Sequence, residues 1–422
     1  MAGGGADANF SEGLAACLRA GGERTYPAAG RSSQDPFNSL PLMNVPTPLS
    51  RRQWLLTSGA ALAGLALSSR FLNDEMRAQM TPERLAAVVP AKARLSLNEN
   101  PFGPSPAALE AMLHNLTSGK AARYPFGEMS ELMGLIAKKE GVAPEQIVVG
   151  VGSGEILETV GMQFGLLKGE VIHGAPGYVQ LVRAAEAAGG KAVPVPLNAK
   201  LEHDLDAMAS QVNARTSVVY VANPHNPTGT AVDSAALREF VKSVSAKTFV
   251  FVDEAYLDIA DDYAGRTMVG LVNEHRNLLV ARTFSKIYGL AGLRIGYGVT
   301  NAKFAAQLRT YGLGTLTGPG IAAATASLKD TSYVATTRAK IVGERDKLLE
   351  LLKQLGKRYA EPQTNFVFFQ TGRPHKEVYA GMLAESVVIA RAFPPMLDWA
   401  RISIGLPEEN ELARAALRKV LG

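Results

Sequence analysis

From about residue 81 onward the chain alternates short apolar runs with helix-length amphipathic segments, regularly enough to predict an architecture. The runs cover 146–149, 170–173, 192–197, 217–222, 248–252, 277–281 and 294–299, each of strand length. Seven strands separated mostly by amphipathic helices predict an α/β fold whose seven-stranded, mostly parallel sheet is covered on both faces. Ahead of them, 95–104 reads as an extended arm broken by prolines. Helices are predicted at 107–116 and 130–140, the second closed by Gly141. After Thr317-Gly318-Pro319 the pattern changes to a long helix at 332–355 and strands at 365–369, 387–389 and 401–404, a smaller α+β domain. The expected division is an N-terminal stretch at 1–80, an arm of the small domain at 81–120, a large domain at 121–317 and the rest of the small domain at 318–422.

Composition adds exclusions. At 422 residues, 47% hydrophobic and 20% charged, the chain is globular and long enough for two domains. A net charge of +5 with no aromatic-interleaved basic stripe gives no footprint for nucleic acid. Cys17 is the only cysteine and the six histidines are scattered, so neither an internal disulfide nor a metal site is expected.

The first eighty residues have a different texture. Residues 1–49, rich in Gly, Ala, Pro and Ser, show no sustained period and are expected to be unstructured. Arg51-Arg52-Gln53-Trp54-Leu55-Leu56 then leads into an uncharged stretch at 57–67, too short to span a bilayer. This has the form of a twin-arginine signal peptide, which predicts export to the periplasm after folding, or a cytoplasmic protein where the leader does not act. Met43 is the better start for such a leader. On that reading residues 1–42 are an over-extended frame, and Cys17 falls outside the protein.

The chemistry-bearing residues sit at the C-terminal ends of the predicted strands, where open α/β sheets bind ligands. Lys286 follows the apolar run Leu278-Leu279-Val280 within Thr283-Phe284-Ser285-Lys286-Ile287-Tyr288-Gly289, with Arg294 eight residues on. Gly150-Val151-Gly152-Ser153-Gly154-Glu155 is a glycine-rich turn, read either as an anion site at a helix N-terminus or as a plain helix start. Asp253 closes one strand, with Glu254 next and Tyr256 three residues later; a carboxylate there suits a protonated ring nitrogen, or a helix N-terminus. Asn223-Pro224-His225-Asn226-Pro227-Thr228-Gly229 is an extended turn offering amide donors or only a turn. Tyr178, in Pro176-Gly177-Tyr178, is placed to stack on a flat ring or to pack in the core.

In this order and spacing, Asn-Pro-His-Asn-Pro-Thr-Gly, Asp-Glu-Ala-Tyr and Thr-Phe-Ser-Lys-Ile-Tyr-Gly-Leu-Ala-Gly-Leu-Arg-Ile-Gly-Tyr resemble the class I/II pyridoxal-phosphate aminotransferases of fold type I. Leu97-Asn98-Glu99-Asn100-Pro101-Phe102-Gly103-Pro104 and Arg123-Tyr124-Pro125 resemble the histidinol-phosphate aminotransferase branch. The resemblance implies that Lys286 holds pyridoxal 5′-phosphate as a Schiff base and shuttles a proton between Cα and C4′. It further implies that Asp253 pairs with the ring nitrogen, that Asn226 and Tyr256 hold the ring oxygen, and that Tyr178 stacks on the ring. Backbone groups of Ser153 and Gly154, with Ser285 and Arg294, would hold the phosphate. Tyr124 would reach the phosphate of a neighbouring subunit in a homodimer with shared sites. Arg401 matches the arginine for the substrate's anionic group and Arg391 a second one, and Asn365 is read with them as a substrate contact. The implied reaction is ping-pong transamination between an amine and a 2-oxo acid, with a decarboxylase or lyase on the same scaffold as the alternative. An exported enzyme is badly placed for cytoplasmic histidine synthesis, so a free amino acid or secreted amine is expected as donor, ahead of histidinol phosphate.

Overall fold

The computed structural model describes residues 91–311 and 315–422. The twin-arginine stretch, Met43, Cys17 and the start of the arm at 81–90 lie outside the described residues. The described chain opens with β1 (Ala93–Leu95), α1 (Pro106–Thr117) and α2 (Phe126–Glu140). Pro106 stands in the first turn of α1, and the Ser105 hydroxyl caps it by accepting from the Ala108 N–H at 3.1 Å.

The alternating region follows as β2 (Ile147–Val151), α3 (Gly152–Leu166), β3 (Glu170–Ala175), α4 (Gln180–Ala187), β4 (Lys191–Pro196), α5 (Leu205–Ser210), β5 (Thr216–Ala222) and α6 (Ser234–Ser245). It continues with β6 (Phe249–Asp253), the single turn α7 (Tyr263–Arg266), β7 (Leu278–Thr283), β8 (Ile295–Thr300) and α8 (Ala302–Thr310). These strands form one seven-stranded sheet in the order β2-β8-β7-β6-β5-β3-β4, parallel except that β8 runs antiparallel to both neighbours. Every residue of β6, β7 and β8 is buried, as strands covered on both faces require.

The last strand of this sheet corrects the sequence reading by one residue. Arg294 was expected to open it, but its φ of 56° is left-handed and leaves it outside the extended run.

The C-terminal part comprises α9 (Gly318–Lys329), α10 (Thr331–Gln354), β9 (Phe366–Gln370), α11 (His375–Ala384), β10 (Val387–Ile389), β11 (Trp399–Ser403) and α12 (Pro407–Leu421). β9 and β11 pair antiparallel, and β10 pairs in parallel with β1 in the register Ala93↔Val387. The N-terminal arm is thus hydrogen-bonded to C-terminal elements. It then runs past the end of β7, where the Asn100 amide donates to the Ile287 carbonyl at 2.8 Å.

Candidate active site

A cavity of about 360 Å³ lies at the C-terminal ends of the parallel strands, where the main-chain turns leave room for a ligand. Lys286 enters it from the loop after β7, in a segment anchored by the buried side chains of Phe284 and Ile287. Its Nζ donates to the Leu97 carbonyl at 3.2 Å and stands 5.5 Å from the centre of the Tyr256 ring. The cavity's amine is therefore parked on the N-terminal arm.

Asp253 ends β6 and is 5% exposed. Its Oδ2 accepts from the Tyr220 hydroxyl at 3.1 Å and its Oδ1 from the Ala255 N–H at 3.1 Å. Burial raises its pKa to about 6, against the opposing pull of those donors and of Lys286. Among the described residues it forms no ion pair. Glu254 shows that the helix-start reading of this carboxylate pair does not hold. It is buried in an ion-pair network, 2.8 Å from Arg282, and accepts from the Met268 N–H at 2.7 Å.

At one end of the cavity the residues predicted for a phosphate come together. Ser153 and Gly154 lie in the first turn of α3, whose N–H groups have no partner within the helix. Arg294 Nη1 donates to Ser285 Oγ at 3.3 Å and to the Ala291 carbonyl at 3.0 Å. Two glycines permit this closeness. A side chain at Gly152 would run into the Arg294 guanidinium, and one at Gly296 would meet the Ser153 backbone.

The same cavity is lined by Arg401, buried, with Nη1 donating to Asn226 Oδ1 at 2.5 Å and Nη2 to the Ser96 carbonyl at 2.8 Å. Its guanidinium lies over Phe366 and Phe393, at 5.2 and 5.0 Å from their centres, and its Nε has no partner. Burial lowers its pKa to about 10, which leaves it charged at neutral pH. Arg391 also lines the cavity and lies over the Phe393 ring at 4.7 Å. Tyr256 accepts from Asn98 Nδ2 at 3.0 Å and, more distantly, from Asn226 Nδ2 at 3.5 Å. Tyr178 borders the cavity, its hydroxyl donating to Gln180 Oε1 at 2.5 Å. Its pKa is raised to about 12, by burial and then by Asp253.

Two predicted residues stand elsewhere. Asn365, expected to touch substrate, does not line the cavity; its Nδ2 holds the arm by donating to the carbonyls of Asn98 and Glu99, both at 3.0 Å. Tyr124 is 77% exposed and stacks on Phe126 at 5.8 Å, outside the cavity of its own chain. Sequence reasoning missed Tyr220, Ser96 and Asn98 as neighbours of the site; only Asn98 lay in a motif that had drawn notice. It also read the histidines as scattered, whereas the rings of His203 and His225 meet edge-on at 4.6 Å. Burial lowers His203 to about 4, so it is neutral. Among the described residues, no group of His, Cys, Asp or Glu has the arrangement of a metal site.

The donor set fits pyridoxal 5′-phosphate: an anion cradle at one end, a buried carboxylate without a cation on the floor, amide and hydroxyl groups for a ring oxygen, and a lysine for an aldehyde. Comparison with known proteins agrees. The family model "Aminotransferase class I and II" matches residues 90–417. Histidinol-phosphate aminotransferase of Anaeromyxobacter sp. is 38% identical over 338 residues, 78% of this chain and 91% of that protein. The enzyme of that name from Limosilactobacillus fermentum is 37% identical over 328 residues, 76% of this chain and 89% of the relative. The crystal structure of histidinol-phosphate aminotransferase from Sinorhizobium meliloti in complex with pyridoxal-5′-phosphate superposes with a TM-score of 0.73 at 28% identity, covering 81% of this chain and 93% of that one.

Proposed function

From the premise that the chain belongs to the class I and II aminotransferases, we propose how its residues divide the work and which substrates it takes. It is a pyridoxal-phosphate-dependent aminotransferase of fold type I. When bound, pyridoxal 5′-phosphate supplies the aldehyde carbon and the electron-accepting ring. Asp253 holds a proton on the ring nitrogen, because its buried carboxylate otherwise lacks a counter-charge. Ser153, Gly154, Ser285 and Arg294 bind the phosphate and fix the cofactor's register. Asn226 and Tyr256 hold the ring oxygen, and Tyr178 covers the ring. Lys286 Nζ would hold the cofactor's aldehyde carbon and, as a free amine, would be the base that moves a proton between the substrate Cα and C4′.

The observation that carries the substrate reading is the buried guanidinium of Arg401 lining the same cavity, prealigned by Asn226 and Ser96. The donor is a primary amine bearing an anionic group, and the product of the half-reaction is the corresponding oxo compound. A free amino acid or a secreted amine would fit an exported enzyme. A second reading, histidinol phosphate as donor, is supported by the names of the relatives and by Arg391 beside Arg401.

The Arg51-Arg52 stretch supports export by the twin-arginine route to the periplasm after folding. The exposed Tyr124–Phe126 pair supports a homodimer in which Tyr124 reaches the partner's phosphate site. The test is the visible spectrum of the protein loaded with cofactor, followed while amino acids and histidinol phosphate are added singly. One amine should discharge the band with release of an equimolar oxo compound. Carbon dioxide release instead, or a band unmoved by every amine, would overturn aminotransfer.

A further inference from the structure

We propose that Asn98 is a positioning residue that turns the Tyr256 hydroxyl into a fixed hydrogen-bond donor aimed at the cavity. This rests on the aminotransferase reading, in which Tyr256 faces the cofactor's ring oxygen. Asn98 lies 158 residues from Tyr256 in the sequence, is 2% exposed, and has a φ of 56°. That left-handed conformation is one that asparagine, aspartate and glycine tolerate and other residues resist.

The direction of each hydrogen bond follows from what the partners are able to do. Ser403 Oγ accepts from the Asn98 N–H at 2.9 Å, and its own proton goes to Asn98 Oδ1 at 2.8 Å. With the amide turned the other way that proton would lose its acceptor, so Nδ2 must face Tyr256 Oη, at 3.0 Å. Asn226 is fixed by the same logic. Its Oδ1 accepts from Arg401, a group that only donates, and this leaves its Nδ2 toward Tyr256 Oη at 3.5 Å. Two amide donors therefore converge on the tyrosine oxygen, and the hydroxyl hydrogen is left pointing into the cavity that Tyr256 lines. The Asn365 amide, by holding the Asn98 carbonyl at 3.0 Å, fixes the backbone from which the device projects. A donor in that position favours the ionised form of an oxygen bound opposite it.

The charged and titratable groups around this hydroxyl are Lys286, Arg401, Tyr178 and Tyr220, with Asp253 beyond Tyr220, while Glu99, Arg294 and Arg391 line the same cavity. None is altered by a substitution at position 98. Asn98→Asp keeps the shape and the permitted backbone but presents only acceptors, so the hydroxyl hydrogen should swing away from the cavity. Asn98→Gly removes the amide without adding charge. The experiment loads each protein with pyridoxal 5′-phosphate and measures the pH midpoint of its visible absorbance, its dissociation constant, and the melting temperature of the cofactor-free protein. The midpoint should rise by about half a pH unit or more in Asn98→Gly and further in Asn98→Asp, with cofactor held roughly three- to tenfold more weakly. A lowered melting temperature with an unmoved midpoint would overturn the proposal and leave Asn98 a structural residue. Should the position 98 variants not fold, Ser403→Ala frees the amide to rotate and is read the same way: a raised midpoint supports the proposal and an unmoved one overturns it. Failure of the underlying reading is separately visible, since borohydride would then fix no cofactor to Lys286 in the unaltered protein.

Discussion

Asp253 and Glu254 are neighbours in the chain, both buried, and burial raises both carboxyls, to about 6 and about 7. They belong to different regions. Glu254 sits in an ion network with Arg282 at 2.8 Å, to which Thr267 adds a hydroxyl at 3.1 Å and Glu140 a second carboxylate, 3.5 Å from the guanidinium. Asp253, on the cavity floor, has only two neutral donors and a lysine that makes no ion pair with it. A buried charge is stable when its own chain completes its pairing, and costs several kcal/mol when it does not. The Glu254 carboxylate is paired with a cation of its own chain, and its role is structural. The floor is incomplete, and that is the mark of a place where a cation arrives with the ligand.

Substitutions sharpen this contrast. Lys286→Ala should abolish turnover, by at least roughly four orders of magnitude, and end borohydride fixation of the cofactor, while melting stays within a few degrees. Asp253→Ala should retain some cofactor yet lose roughly three orders of magnitude in kcat, because the ring nitrogen loses the carboxylate that keeps it protonated. Glu254→Ala should do the reverse. It leaves Arg282 in the core with only the more distant Glu140 carboxylate and costs about 3 kcal/mol of stability, read from chemical denaturation, while kcat per folded molecule stays within about tenfold. A larger loss of turnover from Glu254→Ala than from Asp253→Ala would invert the comparison.

The smallest effect is on pH. Because both folded-state pKa values lie above those of unfolded carboxylates, the folded protein binds the extra protons between about pH 4 and 7. The contribution of these two carboxyls to the stability of the cofactor-free protein should fall as pH rises through that window, against the buried histidines His173, His203, His225 and His375, whose lowered pKa values act in the opposite direction. Cofactor should restore the Asp253 part of the loss, and Asp253→Asn should flatten the slope. The same pH slope of melting temperature in Asp253→Asn and in the unaltered cofactor-free protein would count against the unpaired floor.

The contrast also explains what the sequence could disclose. The strands were legible because apolar runs such as 248–252 and 277–281 are buried on both faces, and burial leaves a local compositional trace. Lys286, Asp253, Asn226 and Arg294 were legible because each stands at a fixed offset from such a run, and the structure gathers them around one cavity with Arg401. Arg294 still fell outside its predicted strand, since a positive φ at a non-glycine residue has no signature in composition. The partners of these residues were not legible. Asn98 meets Tyr256 across 158 residues, and Asn365 meets Asn98 across 267, so no local window contains both members of either pair. Asn365 drew a substrate role from motif position alone, whereas its amide is taken by the arm. Glu254 and Arg282 each sat inside a quoted motif, but which of two adjacent carboxylates faces the cavity is decided by the strand's pleat and by what packs behind it.

The most direct test of the unpaired floor is the nitrogen-15 chemical shift of ring-labelled pyridoxal 5′-phosphate bound at pH 8. We predict a protonated ring nitrogen in the unaltered protein and in Glu254→Gln, and a neutral one in Asp253→Asn. A neutral nitrogen in the unaltered protein, or equal loss of the proton in Glu254→Gln and Asp253→Asn, would contradict it.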